Sequence, residues 1–196
     1  MLKTKVILSH VTNLSDARYA SGMGVNFIGF SINPENSQFV TAEEAKSISG
    51  WLSGVSIIGE IGSTIPIDMA DYVCAYIQTS NVLLIDKLAE PILALDVDLV
   101  NINDIIGSLI KYSGLVGFFI LRVKAAQLPE LQPQLSELCR TYSVYISTEF
   151  DNNKLAFVLD DINPTGIVLY GSDEAKPGLS NYDGIADILE LLAEEG

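Results

Sequence analysis

Ser9 and His10 stand side by side after the apolar run Val6–Leu8, and no second histidine occurs in the chain. A hydroxyl beside an imidazole suggests an activated nucleophile, because serine is weakly nucleophilic without an adjacent base. Consecutive residues of a strand point to opposite faces, however, so the two side chains are not expected to form a dyad. A second group of polar residues closes later apolar runs: Glu60, Gln78, Asp96, Arg122, Ser147 with Glu149, and Tyr170 with Gly171, Ser172 and Asp173. If these ends converge, the acids define a pocket suited to a cationic or polyhydroxylated ligand, or to a hard divalent ion bound through oxygen. Crowding would raise the acids' pKa values, as general bases require. If the ends do not converge, the same residues are solvated rim charges or ion pairs with Arg122 and nearby lysines.

The elements that must position these residues alternate along the chain. Strand candidates are Lys5–Leu8, Phe27–Phe30, Ser56–Ile61, Tyr72–Ile77, Ile92–Leu95, Gly117–Leu121, Val144–Ser147 and Gly166–Tyr170. Between them lie helix candidates at Ser15–Ser21, Ala42–Trp51, Pro66–Ala70, Asn81–Leu88, Ile105–Tyr112, Leu128–Thr141, Asn153–Leu159 and Tyr182–Glu194. Ser15 and Thr41 are the expected N-caps, Thr41 with Glu44 as a capping box. Pro129 and Pro133 are expected at the first turn of their helix, and Trp51 is expected to pack on the core with Ile48. Strands that alternate with helices and read as continuous apolar runs predict parallel pairing with both faces buried. Eight such units suggest a (β/α)8 barrel. Barrels usually need about 250 residues, so pattern alone leaves an open doubly wound sheet as a rival.

Composition narrows the function classes. The 196 residues, 48% of them hydrophobic, suit one domain spanning 1–196. A net charge of −14 makes nucleic acid an unsuitable partner, since binding it depends on cations that neutralise phosphates. No apolar run approaches the length of a membrane span, and none resembles a signal peptide, so the expectation is a cytoplasmic protein with no membrane partner. Cys74 and Cys139 fit no metal-ligand spacing and read as two buried free thiols. No cofactor motif and no metal site is expected.

Four stretches carry a family resemblance. They are Val6–Ala17, Gly24–Phe30, Pro34–Ala45 and Glu174–Gly178 with Asp183 and Ile185; a weaker fifth is Ile146–Leu155. They resemble, in order, the V-K-I-C-G-I-T-N-x-x-D-A, G-A-D-x-x-G-F, P-x-S-x-R-Y-V-S-P-E-x-A, E-x-x-P-G-x-K-D-x-x-x-I and L-S-G-G-L-x-P-x-N-V segments of the phosphoribosylanthranilate isomerases of tryptophan biosynthesis. The segment from Asn101 to Thr141 matches poorly. The resemblance implies a single compact (β/α)8 TIM barrel with short loops, a monomer or homodimer, and a small-molecule site at the C-terminal mouth. It also implies an Amadori rearrangement, an aldose–ketose isomerisation that needs a general base, a general acid, and anchors for a phosphate and a carboxylate.

The residues at the matching positions depart from that chemistry. Ser9 occupies the position of the cysteine base and is therefore expected to face inward. His10 then faces the helices or the rim, or else turns into the mouth. At the end of strand six, where the family's acid stands, the chain has Arg122 and no carboxylate within Phe118–Lys124. Gln38 matches the anchoring arginine and cannot make its charged fork. Glu149 falls in the phosphate loop after strand seven, where a carboxylate repels a phosphate by about 1 kcal/mol or more. The turn after strand eight, Gly171–Ser172, stays tight but is followed by Asp173. The expectation is a diverged barrel that has lost the usual reaction and binds another small ligand at Ser9, His10, Gln38, Glu60, Gln78, Asp96, Arg122, Ser147, Glu149, Tyr170, Gly171 and Ser172. The alternative is a working isomerase with substituted catalytic residues.

Overall fold

The computed structural model describes residues 1–171 and 183–193. Eight strands follow in chain order: β1 Lys5–Ser9, β2 Phe27–Ser31, β3 Ser56–Gly62, β4 Tyr76–Thr79, β5 Pro91–Val97, β6 Phe118–Val123, β7 Val144–Ser147 and β8 Gly166–Tyr170. Each pairs in parallel with its sequence neighbours, and β8 pairs back onto β1 from Lys5↔Gly166 to Ser9↔Tyr170, which closes the barrel. Closure leaves no sheet edge unpaired and decides against the open doubly wound alternative.

The α-helices are α1 Leu14–Met23, α2 Ala42–Ser49, α3 Ile102–Tyr112, α4 Leu128–Thr141, α5 Asn152–Phe157 and α6 Asp183–Leu192. The capping box forms as expected: Glu44 N–H donates to Thr41 Oγ1 at 3.3 Å, and Thr41 N–H donates to Glu44 Oε2 at 2.9 Å. The bond from the Thr41 hydroxyl holds the Glu44 carboxyl below its usual range. Thr41→Ala is expected to cost about 1 kcal/mol and to lower Tm by about 2–4 °C, read by thermal denaturation.

Several sequence expectations are corrected. The N-cap of α1 is Asn13, whose side chain accepts from Asp16 N–H at 2.9 Å; Ser15 already lies inside the first turn. The segments after β3 and β4 form 3-10 turns at Met69–Asp71 and Val82–Lys87 in place of α-helices at Pro66–Ala70 and Asn81–Leu88. β4 starts at Tyr76, not Tyr72, because the Tyr72 hydroxyl donates to the Val40 carbonyl at 2.7 Å and holds that residue outside the barrel. Pro133 falls inside α4. Since α2 ends at Ser49, Trp51 is off the helical stripe and 69% exposed. Cys74 and Cys139 are free but only half-buried; burial still pushes their thiols up to about 11 and about 12.

Alternate residues of each strand fill the barrel. The N-terminal half holds Phe27, Tyr76, Phe118 and Tyr145, with the Phe118 and Tyr145 rings 4.6 Å apart. Ile7, Ile58, Ile92, Ala94, Ile120 and Val168 pack with them. The barrel is therefore plugged by side chains below its C-terminal mouth. No helix among the described residues is long and apolar enough to cross a membrane.

Candidate functional site

Continuing the same alternation to the strand ends gives the lining of the mouth. Inward positions end at Ser9 on β1, Ser31 on β2, Glu60 on β3, Gln78 on β4, Asp96 on β5, Arg122 on β6, Ser147 on β7 and Tyr170 on β8. Seven of these were singled out in the sequence. Ser31 was not, although counting by two from Phe27 through Gly29 reaches it.

Glu60 is the chemical centre of the ring. It is 3% exposed, far from the solvated rim charge that an acidic residue at a strand end suggests. Ser9 Oγ donates a hydrogen bond to Glu60 Oε1, and His10 N–H donates to Oε2 at 3.2 Å. The His10 ring Nε2 lies 3.4 Å from Oε2. Burial pushes the Glu60 carboxyl above its usual range, and its bonds to Ser9 and His10 and the Arg122 charge offset this only in part. The carboxylate reaches Ser9 across β2 because Gly29 stands between them. A Cβ at Gly29 would lie 2.1 Å from Glu60 Oε1 and 3.2 Å from Ser9 Cα. β3 also carries a register shift between Glu60 and Gly62, with Gly62 at φ +64°.

His10 turns into the mouth. Its φ of +56° ends the strand alternation, so Ser9 and His10 both meet Glu60 rather than pointing apart. The His10 and Tyr170 rings lie 5.3 Å apart. On the other side, Arg122 grips Asp96 with both ends of its fork, Nε to Oδ1 at 2.8 Å and Nη2 to Oδ2 at 3.0 Å. This bond holds the Asp96 carboxyl below its usual range. Ser147 Oγ and Tyr170 Oη are 2.9 Å apart.

Two cavities open from this ring and share Arg122. The smaller, about 250 Å³, is lined by His10, Ser31, Glu60, Gln78 and Arg122 with loop residues from Asn33 to Ser80. The larger, about 1010 Å³, runs over β5–β8 and is lined by Asp96, Asp98, Arg122, Lys124, Ser147, Glu149, Lys154 and Tyr170 among others. Lys124 and Lys154 were not foreseen. They sit on the loop after β6 and in α5, and they offset the acids there, so this half of the mouth is mixed rather than acidic. Lys154 is already paired with Asp151 at 2.8 Å.

The remaining residues named from sequence are placed as follows. Gln38 is half-buried in the turn after β2, its backbone N–H on Asn36 Oδ1 at 2.8 Å, and it lines neither cavity. Gly171 N–H donates to the Ser9 carbonyl at 2.8 Å, so this amide is not free to cradle an anion. A Cβ at Gly171 would lie 2.9 Å from the His10 carbonyl oxygen. Ser172, Asp173 and the Glu174–Gly178 stretch lie outside the described residues. Among the described residues, no group of three or more His, Cys, Asp or Glu side chains is placed to hold a metal ion.

A small closed (β/α)8 barrel with a polar mouth at the C-terminal ends of its strands defines the class. Among solved structures, the fold is that of the phosphoribosylanthranilate isomerases. The chain is 23% identical to the Thermotoga maritima enzyme, with a TM-score of 0.72 over 93% of this chain and 95% of that one. It is 22% identical to a phosphoribosylanthranilate isomerase bound to reduced 1-(o-carboxyphenylamino)-1-deoxyribulose 5-phosphate, with a TM-score of 0.72 over 95% and 97% of the two chains. The Pyrococcus furiosus enzyme gives the same TM-score of 0.72 at 12% identity, over 95% and 97% of the two chains. The sequence matches no protein-family model and no curated protein.

Proposed function

We propose that this chain is a diverged phosphoribosylanthranilate isomerase-like barrel whose mouth binds a small, non-phosphorylated molecule. The observation that carries this reading is the buried Glu60 carboxyl with the Ser9 hydroxyl donated to it. A serine that spends its proton on a buried carboxyl is not a free base for C–H abstraction, and a carboxyl at this depth repels an anionic substrate. Three further features support it: Arg122 instead of a carboxylate at the end of β6, Gln38 in neither cavity, and Glu149 lining the larger cavity. The protein would act in the cytoplasm, as a monomer or homodimer and without a cofactor.

The second reading is a working isomerase with substituted groups. Glu60, raised in pKa and set between Ser9 and His10, offers that reaction one acid–base group, and Lys124 and Lys154 offer the phosphate two cations. Calorimetric titration with reduced 1-(o-carboxyphenylamino)-1-deoxyribulose 5-phosphate separates the two. The first reading expects no saturable binding at millimolar ligand, whereas micromolar binding would establish the second.

A further inference from the structure

The smaller cavity is lined by two buried polar atoms that have no hydrogen-bond partner among the described residues. Ser31, Glu60 and Gln78 form one row across three strands, as successive register partners Ser31↔Glu60 and Glu60↔Gln78. Adjacent strands lie about 4.8 Å apart, so the three side chains converge on the same space. Ser31 is 1% exposed, and its hydroxyl has no hydrogen-bond partner among the described residues. The same holds for Gln78 Oε1. Buried polar atoms are rarely left without partners, and each orphan therefore asks what satisfies it. Here two orphans and a buried carboxylate face one cavity.

The unmet atoms can all accept. Gln78 Oε1 can only accept, an ionised Glu60 can only accept, and the Ser31 hydroxyl can do either. A ligand that fits must supply several donors and one positive charge. A primary ammonium has three N–H donors and no lone pair. A polyol brings lone pairs of its own and no charge, and a hard divalent ion needs more anionic oxygen than one carboxylate supplies. Two other charged or titratable groups face Glu60: His10 at the end of β1 and Arg122 on β6. The Arg122 charge is already engaged by both oxygens of Asp96.

We infer that the cavity over β1–β4 is a binding site for the primary ammonium group of a small organic amine, seated on Glu60, Gln78 Oε1 and Ser31 Oγ. This deepens the reading above, on which it rests for the mouth being a binding site, by naming the chemistry of the ligand. A cation on Glu60 also restores the charged form that burial disfavours.

Methylammonium chloride is the probe, titrated into the 15N-labelled protein at constant ionic strength with tetramethylammonium chloride as the matched cation lacking N–H. The expected result is a saturating shift of the Ser31, Glu60 and Gln78 amide resonances with methylammonium alone. Ser31→Ala and Gln78→Leu should each weaken that binding about tenfold, the effect of losing one charge-assisted hydrogen bond. Glu60→Gln should abolish it. No saturating shift, or an equal shift with tetramethylammonium, overturns the inference. Binding of reduced 1-(o-carboxyphenylamino)-1-deoxyribulose 5-phosphate would instead overturn the reading of the whole mouth, so the two failures are told apart.

Discussion

Alanine at Gly166 is expected to destabilise the barrel by about 3–5 kcal/mol, among the largest effects a single methyl can produce. The added Cβ would lie 2.4 Å from the Lys5 carbonyl oxygen and 2.5 Å from Tyr145 Cε1. The first contact is with backbone in the β1–β8 ladder that closes the barrel, where Lys5 and Gly166 are register partners. The second is with a ring that is 2% exposed and lies 4.6 Å from Phe118. Neither can retreat without opening the ladder or repacking the aromatic layer. Domains of this size are stable by about 5–15 kcal/mol, so the loss is a large share of the total. Urea denaturation reads it as a drop in midpoint. Adding Tyr145→Leu should recover only part of the loss, because the clash with the carbonyl remains. A drop no larger than that of Thr41→Ala would contradict the packing described.

Replacing Glu60 by glutamine is expected to stabilise the protein, and the gain should grow with pH. The folded state holds the Glu60 proton more tightly than the unfolded chain does. This contribution to stability is complete below the unfolded carboxyl value of about 4.3 and is lost as pH rises through the raised folded value. Glutamine has no proton to lose there. Its amide can donate to Ser9 Oγ and its carbonyl can accept from His10 N–H, so both neighbours keep a partner. The carboxyls held low, Glu44 and Asp96, give the opposite slope, but they are common to both proteins and cancel in the difference. The gain should be small near pH 4.5 and larger at pH 8, where burial disfavours the charged carboxylate. Urea midpoints across that pH range check it; a loss of stability at pH 8, or a difference independent of pH, would contradict the account. A variant that gains stability while losing the site is the usual signature of a functional group kept at a cost in stability.

The fold was legible because its signal is local. Val144–Ser147 and Gly166–Tyr170 were read residue for residue, since apolar runs bounded by turn residues carry their own limits. The elements around β4 were misread for the opposite reason: what sets them is the hydrogen bond from Tyr72 to Val40, a contact with a distant loop. The site was half legible. Strand ends named Glu60, Gln78, Asp96 and Arg122, but composition could not say that one acid is buried while another is ion-paired. Glu60 reaches Ser9 only because Gly29, on the strand between, has no side chain. His10 is named among the site residues with two orientations open, and its positive φ, which breaks the strand alternation, selects the one that turns into the mouth. Lys154 escaped because its place at the mouth depends on how α5 leaves the loop after β7.

The most direct measurement is a fluorescence assay for loss of phosphoribosylanthranilate, run on the native chain beside Ser9→Cys. A mouth organised around a buried carboxyl predicts no turnover by either protein, because restoring the thiol supplies neither an acid on β6 nor a phosphate cradle. Turnover by the native chain would contradict the account, and would make Glu60, with Ser9 and His10, the acid–base centre of a working isomerase.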